Sequence, residues 1–268
     1  MSGERRGTAT SNFGVGRRES HDATGFYSRF TPPDLSADKF VDPKKSVDDI
    51  FSHEAQRMPE LADNSVALVV TSPPYFAGKA YEEALGEGGI PSTYLDYLDM
   101  LEAVFAECVR KLEPGGRIAV NVANLGRKPY RSLSADIVDI FQRRLKLLLR
   151  GEVVWQKARG AGGNCAWGSF QRPGNPVLRD LTERIVIASK GRFDRAIPAV
   201  ERGKQGLPHQ WSLSKDEFME ATTDVWEIYP ESATRVGHPA PFPVELPARP
   251  TTPNPYYAYL VLDPFMRS

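Results

Sequence analysis

The amino-acid sequence predicts an α/β protein built on a doubly wound, mostly parallel sheet, and three observations carry that reading. Residues 66 to 76, Val-Ala-Leu-Val-Val-Thr-Ser-Pro-Pro-Tyr-Phe, open with five apolar residues, three of them β-branched, the pattern of a strand buried on both faces. A helical apolar period then runs into Glu113-Pro114-Gly115-Gly116 and a second apolar run, Ile118-Ala119-Val120-Asn121-Val122. A further amphipathic helix leads into a third run, and alternation of this kind lays helices over both faces of one sheet.

Size and composition permit this fold and exclude several functions. With 268 residues, 41% of them hydrophobic, the chain can bury a full core as one large domain or one domain with an insertion. Lys and Arg total 34 against 34 for Asp and Glu, so no global basic field announces nucleic acid, and a DNA partner requires a local basic face. Cys108 and Cys165 stand alone, with no CxxC and no metal-ligand spacing. Cys108 falls on an apolar helix face and Cys165 in a Gly-rich loop, as free thiols suited to a reducing cytoplasm. No apolar run approaches the ~18 residues of a membrane span, and no secretory core follows the first residues, so the expected location is the cytoplasm.

In chain order, residues 1–45 are rich in Arg, Ser, Gly and Pro and read as a disordered basic tail. Residues 46–51 are a candidate edge strand, followed by a short helical pattern ending near Pro59 and by Asn64-Ser65 at the entry to the first buried strand. After Tyr75, residues 78–91 form a Gly-rich loop carrying Glu82, Glu83 and Glu87. Ser92 reads as the cap of a helix whose inward face is Tyr94, Leu98, Leu101, Phe105, Cys108 and Leu112. A second helix spans 134–150, closed by Gly151, with Ile137, Ile140, Phe141, Leu145 and Leu148 inward. Its other face bears Arg143, Arg144, Lys146 and Arg150, and with Arg127, Lys128 and Arg131 it is the densest positive region of the chain, either a phosphate contact or a solvated face. Residues 152–157 and 183–190 read as strands around a loop with Trp167 and Phe170. The strand-helix rhythm then lapses over 191–235.

The chemistry concentrates where the first strand stops. Pro73 and Pro74 lack N–H groups and stiffen the backbone, so Ser72 to Tyr75 form an extended corner at a strand's carboxyl end, where ligands sit in open α/β sheets. Ser72 and its neighbouring carbonyls are acceptors for an exocyclic amine, and Tyr75 offers a ring on which a planar base stacks. A proline turn with a half-buried tyrosine is the plain alternative.

Ser72-Pro73-Pro74-Tyr75 after an apolar strand resembles the catalytic motif of DNA amino-methyltransferases, which methylate N4 of cytosine or N6 of adenine with S-adenosylmethionine. Three further segments stand in the order of that family's permuted, catalytic-motif-first class: Leu112-Glu113-Pro114-Gly115-Gly116, His238-Pro239-Ala240-Pro241-Phe242-Pro243, and Val261-Leu262-Asp263-Pro264-Phe265. The resemblance implies a class I methyltransferase, Rossmann-like fold, with Ser72, Pro73, Pro74 and Tyr75 catalytic and Asp263, Pro264, Phe265, His238 and Pro239 at the cofactor. It divides the chain into a catalytic half at 46–190, a target-recognition insertion at 191–235, and the start of a cofactor-binding half at 236–268. Duplex DNA is the implied substrate, with a cognate restriction endonuclease as a further partner. The candidate DNA contacts are Arg127, Lys128, Arg143 and Arg144 of the basic region, and Trp167 in the loop that the resemblance turns towards the base, where a local packing anchor is the plain alternative.

The resemblance also implies a mechanism. The base leaves the duplex, Tyr75 stacks on it, and Ser72 and the Pro73 carbonyl polarise its amine without a covalent enzyme intermediate. Serine in first place favours N4 of cytosine, with N6 of adenine the alternative. The family's Gly-x-Gly loop, helix and acid-bearing strand would follow Phe265, whereas this sequence ends at Met266-Arg267-Ser268. The fold is therefore expected to be incomplete at the cofactor end, and the alternative from another class is an inactive remnant, or half of a split enzyme, that binds DNA without catalysis.

Overall fold

A computed structural model describes residues 29, 33–43, 48–76, 91, 93–125, 129–157, 168–211, 213–231, 243–251 and 259–265. The chain divides into a unit Met1–Leu35, whose described residues are exposed, and a body Ser36–Ser268 that holds every element named below.

In the body, β1 (Val66–Thr71) leads to α1 (Tyr94–Lys111) and β2 (Leu112–Val122). Next come α2 (Leu133–Asp139), a π turn (Ile140–Arg144), β3 (Leu148–Gln156) and β4 (Thr182–Ser189). Two short helices, α3 (Ala199–Lys204) and α4 (Lys215–Ala221), precede β5 (Val225–Glu227), α5 (Glu245–Thr251) and β6 (Leu260–Leu262). The strands make one sheet in the order β5-β3-β4-β2-β1-β6. β1 is parallel to both β2 and β6, and β3 to β5, while β4 runs antiparallel to β2 and β3. The expected α/β sheet is present, with β4 antiparallel to both of its neighbours.

Alternation along the strands separates two cores. Val69, Ile118 and Val120 face Leu101 and Phe105 of α1 and Phe141 of the π turn. Ala119, Val153, Trp155 and Ile185 point the other way and pack with Trp226 and Leu246. Cys108 is fully buried, as its helix face requires.

Several boundaries differ from expectation for identifiable reasons. Thr93, not Ser92, caps α1, through a reciprocal capping box with Asp96. The segment 113–116 does not simply separate helix from strand. Val66 pairs with Leu112 and Leu68 with Arg117, so these residues bulge out within β2. The helix expected over 134–150 ends early. Leu145 N–H returns to the Ile140 carbonyl at 2.9 Å, Lys146 takes φ 54°, and Leu148 already begins β3, with Gly151 at a bulge in that strand.

Residues 48–51, a candidate edge strand, carry no strand and are exposed, and the described residues up to Pro59 form turns rather than a helix. Of the expected tail, residues 36–42 pack on the body: Ser36 N–H donates to the Gly191 carbonyl at 2.7 Å, and Val41 joins Ala196, Ile197 and Leu207 in a small core. The stretch 191–235 is partly regular, and Trp226, 1% exposed, belongs to the second core. No helix among the described residues is long and apolar enough to cross a membrane.

Candidate active site

β1 carries the chain to the carboxyl edge of the sheet, and two prolines that cannot donate to a ladder stop it there. Pro73 is buried, whereas Ser72, Pro74 and Tyr75 are half-buried. From α1, the Tyr97 hydroxyl donates to the Pro74 carbonyl at 2.9 Å and its ring stacks on Phe76 with centroids 5.5 Å apart. Tyr94 closes this aromatic group 6.1 Å from Phe76. The Tyr94 hydroxyl donates to Asp136 Oδ2 at 2.5 Å, and burial followed by that bond pushes its ionisation far above the ordinary range. The Pro74 carbonyl thus anchors the corner to α1.

The phenol of Tyr75 turns into a polar cluster. Its hydroxyl lies 3.2 Å from Ser72 Oγ and donates to Glu183 Oε2 at 3.0 Å. Asn121 Nδ2 donates to both, at 3.3 Å to the Tyr75 oxygen and 2.6 Å to Glu183. Lys157 Nζ completes the group with an ion pair to Glu183 Oε1 at 2.9 Å. Asn121 in β2, Glu183 in β4 and Lys157 directly after β3 meet because they fall at neighbouring strand ends on the same edge.

On the other side lies β6. Asp263 follows it directly, and its Oδ1 accepts from Thr71 Oγ1 at 2.5 Å and from the Phe265 N–H at 3.0 Å. Asp263 keeps one side open to solvent, yet the protein crowded around the rest of it raises its carboxyl above the usual range, against the pull of those two hydrogen bonds. The Phe265 ring meets Phe105 edge-on at 6.2 Å. Since Thr71 immediately precedes Ser72, the hydroxyl-to-carboxylate bond sets the corner beside Asp263.

The structure therefore brings Ser72, Pro73, Pro74 and Tyr75 together with Asp263, Pro264 and Phe265. It does not bring Arg143 and Arg144 to them. Both lie in the π turn that leads to the first residues of β3, which pair with the last of β4 at the opposite end of the sheet. There Arg143 meets Asp139 at 3.3 Å, and Arg144 meets Glu102 at 2.7 Å and Asp99 at 3.4 Å. Arg127, Lys128, Trp167, His238 and Pro239 lie outside the described residues.

Five participants escaped sequence reasoning: Thr71, Tyr97, Asn121, Lys157 and Glu183. The available signal was a polar residue inside an apolar strand, as with Asn121 between Val120 and Val122, which is 7% exposed.

A model of the DNA methylase family, covering N6 and N4 methyltransferases, matches residues 66–268. The Type II methyltransferase M.MjaVI of Methanocaldococcus jannaschii is 26% identical over 174 residues, 65% of this chain and 81% of that protein. M.MjaI of the same organism is 26% identical over 250 residues, 81% of this chain and 79% of the relative. A Thermus thermophilus protein, TTHA0409, described as a DNA modification methylase, is 27% identical with a TM-score of 0.56 over 80% of this chain and 77% of that one. Its complex with S-adenosyl-L-methionine is 26% identical with a TM-score of 0.51, over 76% and 73%. The family match spans most of the sequence and takes in both the proline corner and Asp263, so this chain belongs to the DNA methylase family of amino-methyltransferases.

Proposed function

We propose that this protein transfers a methyl group from S-adenosylmethionine to the exocyclic N4 of cytosine in duplex DNA, as a catalytic-motif-first enzyme working beside a cognate restriction endonuclease. The observation that carries the reading is the Thr71 to Asp263 hydrogen bond of 2.5 Å, which joins the residue before the catalytic corner to the carboxylate after β6. The donor set suits the cofactor: Asp263 is an acceptor for its hydroxyl or ammonium hydrogens, and Phe265 lends an apolar surface nearby. Asp263, Pro264 and Phe265 would hold it, and what it supplies is an activated methyl group.

The chain's own part is binding and orientation. The base is rotated out of the duplex, since its amine is otherwise paired. Ser72 Oγ and the Pro73 carbonyl accept the two amine hydrogens, which draws the nitrogen lone pair out of the ring system and aims it towards the Asp263 side of the edge. Tyr97 and Phe76 keep that corner from yielding. After transfer the amine sheds one proton, and no covalent bond to the protein is required.

Expression in cells lacking DNA methylation, followed by mass spectrometry of the nucleosides, tests this. N4-methylcytosine is expected with the native chain and a loss of about 100-fold with Ser72→Ala. N6-methyladenine would reassign the base, and no methylated base at all would overturn the reading.

A further inference from the structure

We infer that Glu183 is a positioning residue that makes the catalytic corner select an amine over a carbonyl, an inference that rests on the nucleobase reading above. A carboxylate paired with an ammonium group only accepts, so the single hydrogen of the Tyr75 phenol is directed to Glu183 Oε2 across 3.0 Å. Lys157 at 2.9 Å and Asn121 at 2.6 Å hold that carboxylate, whose side chain is only 11% exposed.

The Ser72 and Tyr75 hydroxyls lie 3.2 Å apart, where geometry alone lets either one donate. With the phenolic hydrogen committed to Glu183, Ser72 must be the donor and Tyr75 the acceptor. Asn121 Nδ2 sends a second hydrogen to the same phenol oxygen at 3.3 Å. The amide cannot be reversed, because its oxygen would then stand 2.6 Å from a carboxylate oxygen. Ser72 is left with lone pairs alone for a ligand. A hydroxyl in that state accepts from an N–H and repels a carbonyl oxygen, so cytosine or adenine fits where uracil or hypoxanthine does not. Without Glu183 the phenol hydrogen is free to turn to Ser72, whose own hydrogen then faces the ligand. The backbone of the corner stays in place, since Tyr97 holds it at Pro74.

Saturation-transfer NMR on the full chain, comparing deoxycytidine with deoxyuridine and deoxyadenosine with deoxyinosine, reads this without turnover. The native chain is expected to favour the amine-bearing nucleosides by about tenfold, and Glu183→Ala to bring the ratio within about twofold. Tyr75→Phe deletes the acceptor of the Ser72 hydrogen and must collapse the ratio as well, which keeps the inference testable should Glu183→Ala fold poorly. In the Tyr75→Phe background, adding Glu183→Ala is expected to change nothing further, because Glu183 acts through the phenol. Equal affinities in the native chain, a ratio that survives either single substitution, or a further drop in the double variant would overturn it. Absence of methylated base in cells with the preference intact would sink the transfer reaction and leave this inference standing. Methylation with no preference would do the reverse.

Discussion

At the scale of single residues, the site depends on hydroxyls that pass hydrogens to carboxylates. Thr71 is 4% exposed, and the hydroxyl of its side chain donates to Asp263 Oδ1. That bond lowers the Asp263 carboxyl, against the crowding that raises it above its ordinary value. Thr71→Val keeps the shape and removes the donor, so the carboxyl must titrate still higher. Cofactor binding that uses the charged form then requires a higher pH. Calorimetric titration with S-adenosylmethionine is expected to show the acidic limb of binding displaced to higher pH, with affinity several-fold weaker at neutral pH. The corner itself was legible in the sequence because two consecutive prolines after an apolar run permit few backbone conformations. Glu183 was not, since it is 108 positions from Tyr75, and a polar residue at a strand end reads alike whether it meets solvent or a phenol.

At the scale of elements, the bulge in β2 is the most constrained piece of backbone. Gly115 has φ +79°, and a Cβ there would stand 2.0 Å from the Asp194 carbonyl oxygen. The close approach is functional for packing: Gly115 N–H donates to the Lys190 carbonyl at 2.9 Å, and Lys190 N–H to the Gly116 carbonyl at 3.0 Å. Gly115→Ala combines a left-handed conformation with a backbone clash and is expected to cost roughly 2 kcal/mol or more, measured by urea unfolding. Because the bulge lies at the amino end of the parallel strands, nucleoside preference in the folded fraction should be unchanged. Pro114-Gly115-Gly116 carries the local signals of a plain helix stop, but the bulge arises from a non-local ladder to β1. The overrun of α2 has a similar origin. Its apolar and basic residues keep a helical period to Arg150, and what ends it is the pairing of Leu148 with Ser189. The period of α1 is local and gives its inward face correctly, while its start falls one residue later than expected, at the Thr93–Asp96 capping box.

At the scale of the molecule, the two edges of the sheet divide the work: the carboxyl edge holds the site, and the amino edge locks the segment after β4 onto the strands. Glu113, 2% exposed, projects from the bulge between two guanidinium groups. Arg195 reaches it at 2.7 Å and also donates to the Ala67 carbonyl on β1 at 3.0 Å. Arg202 from α3, itself 2% exposed, reaches it at 3.1 Å and donates to the Pro208 carbonyl at 2.7 Å. Such a group adds little over a well-packed apolar equivalent, since desolvation offsets most of the attraction, but removing the anion between them leaves two cations facing each other in a water-poor place. Arg117 is already pulled down to about 9 by burial and by the charges of Arg150 and Arg195, so positive charge is already unfavourable in this region. Glu113→Ala is therefore expected to destabilise the body by about 3–5 kcal/mol, whereas replacing Glu113, Arg195 and Arg202 together with apolar residues of similar size should recover much of that loss. Urea midpoints of the single and triple variants decide between this account and one in which each ion pair contributes independently, where the triple variant would be the least stable of all.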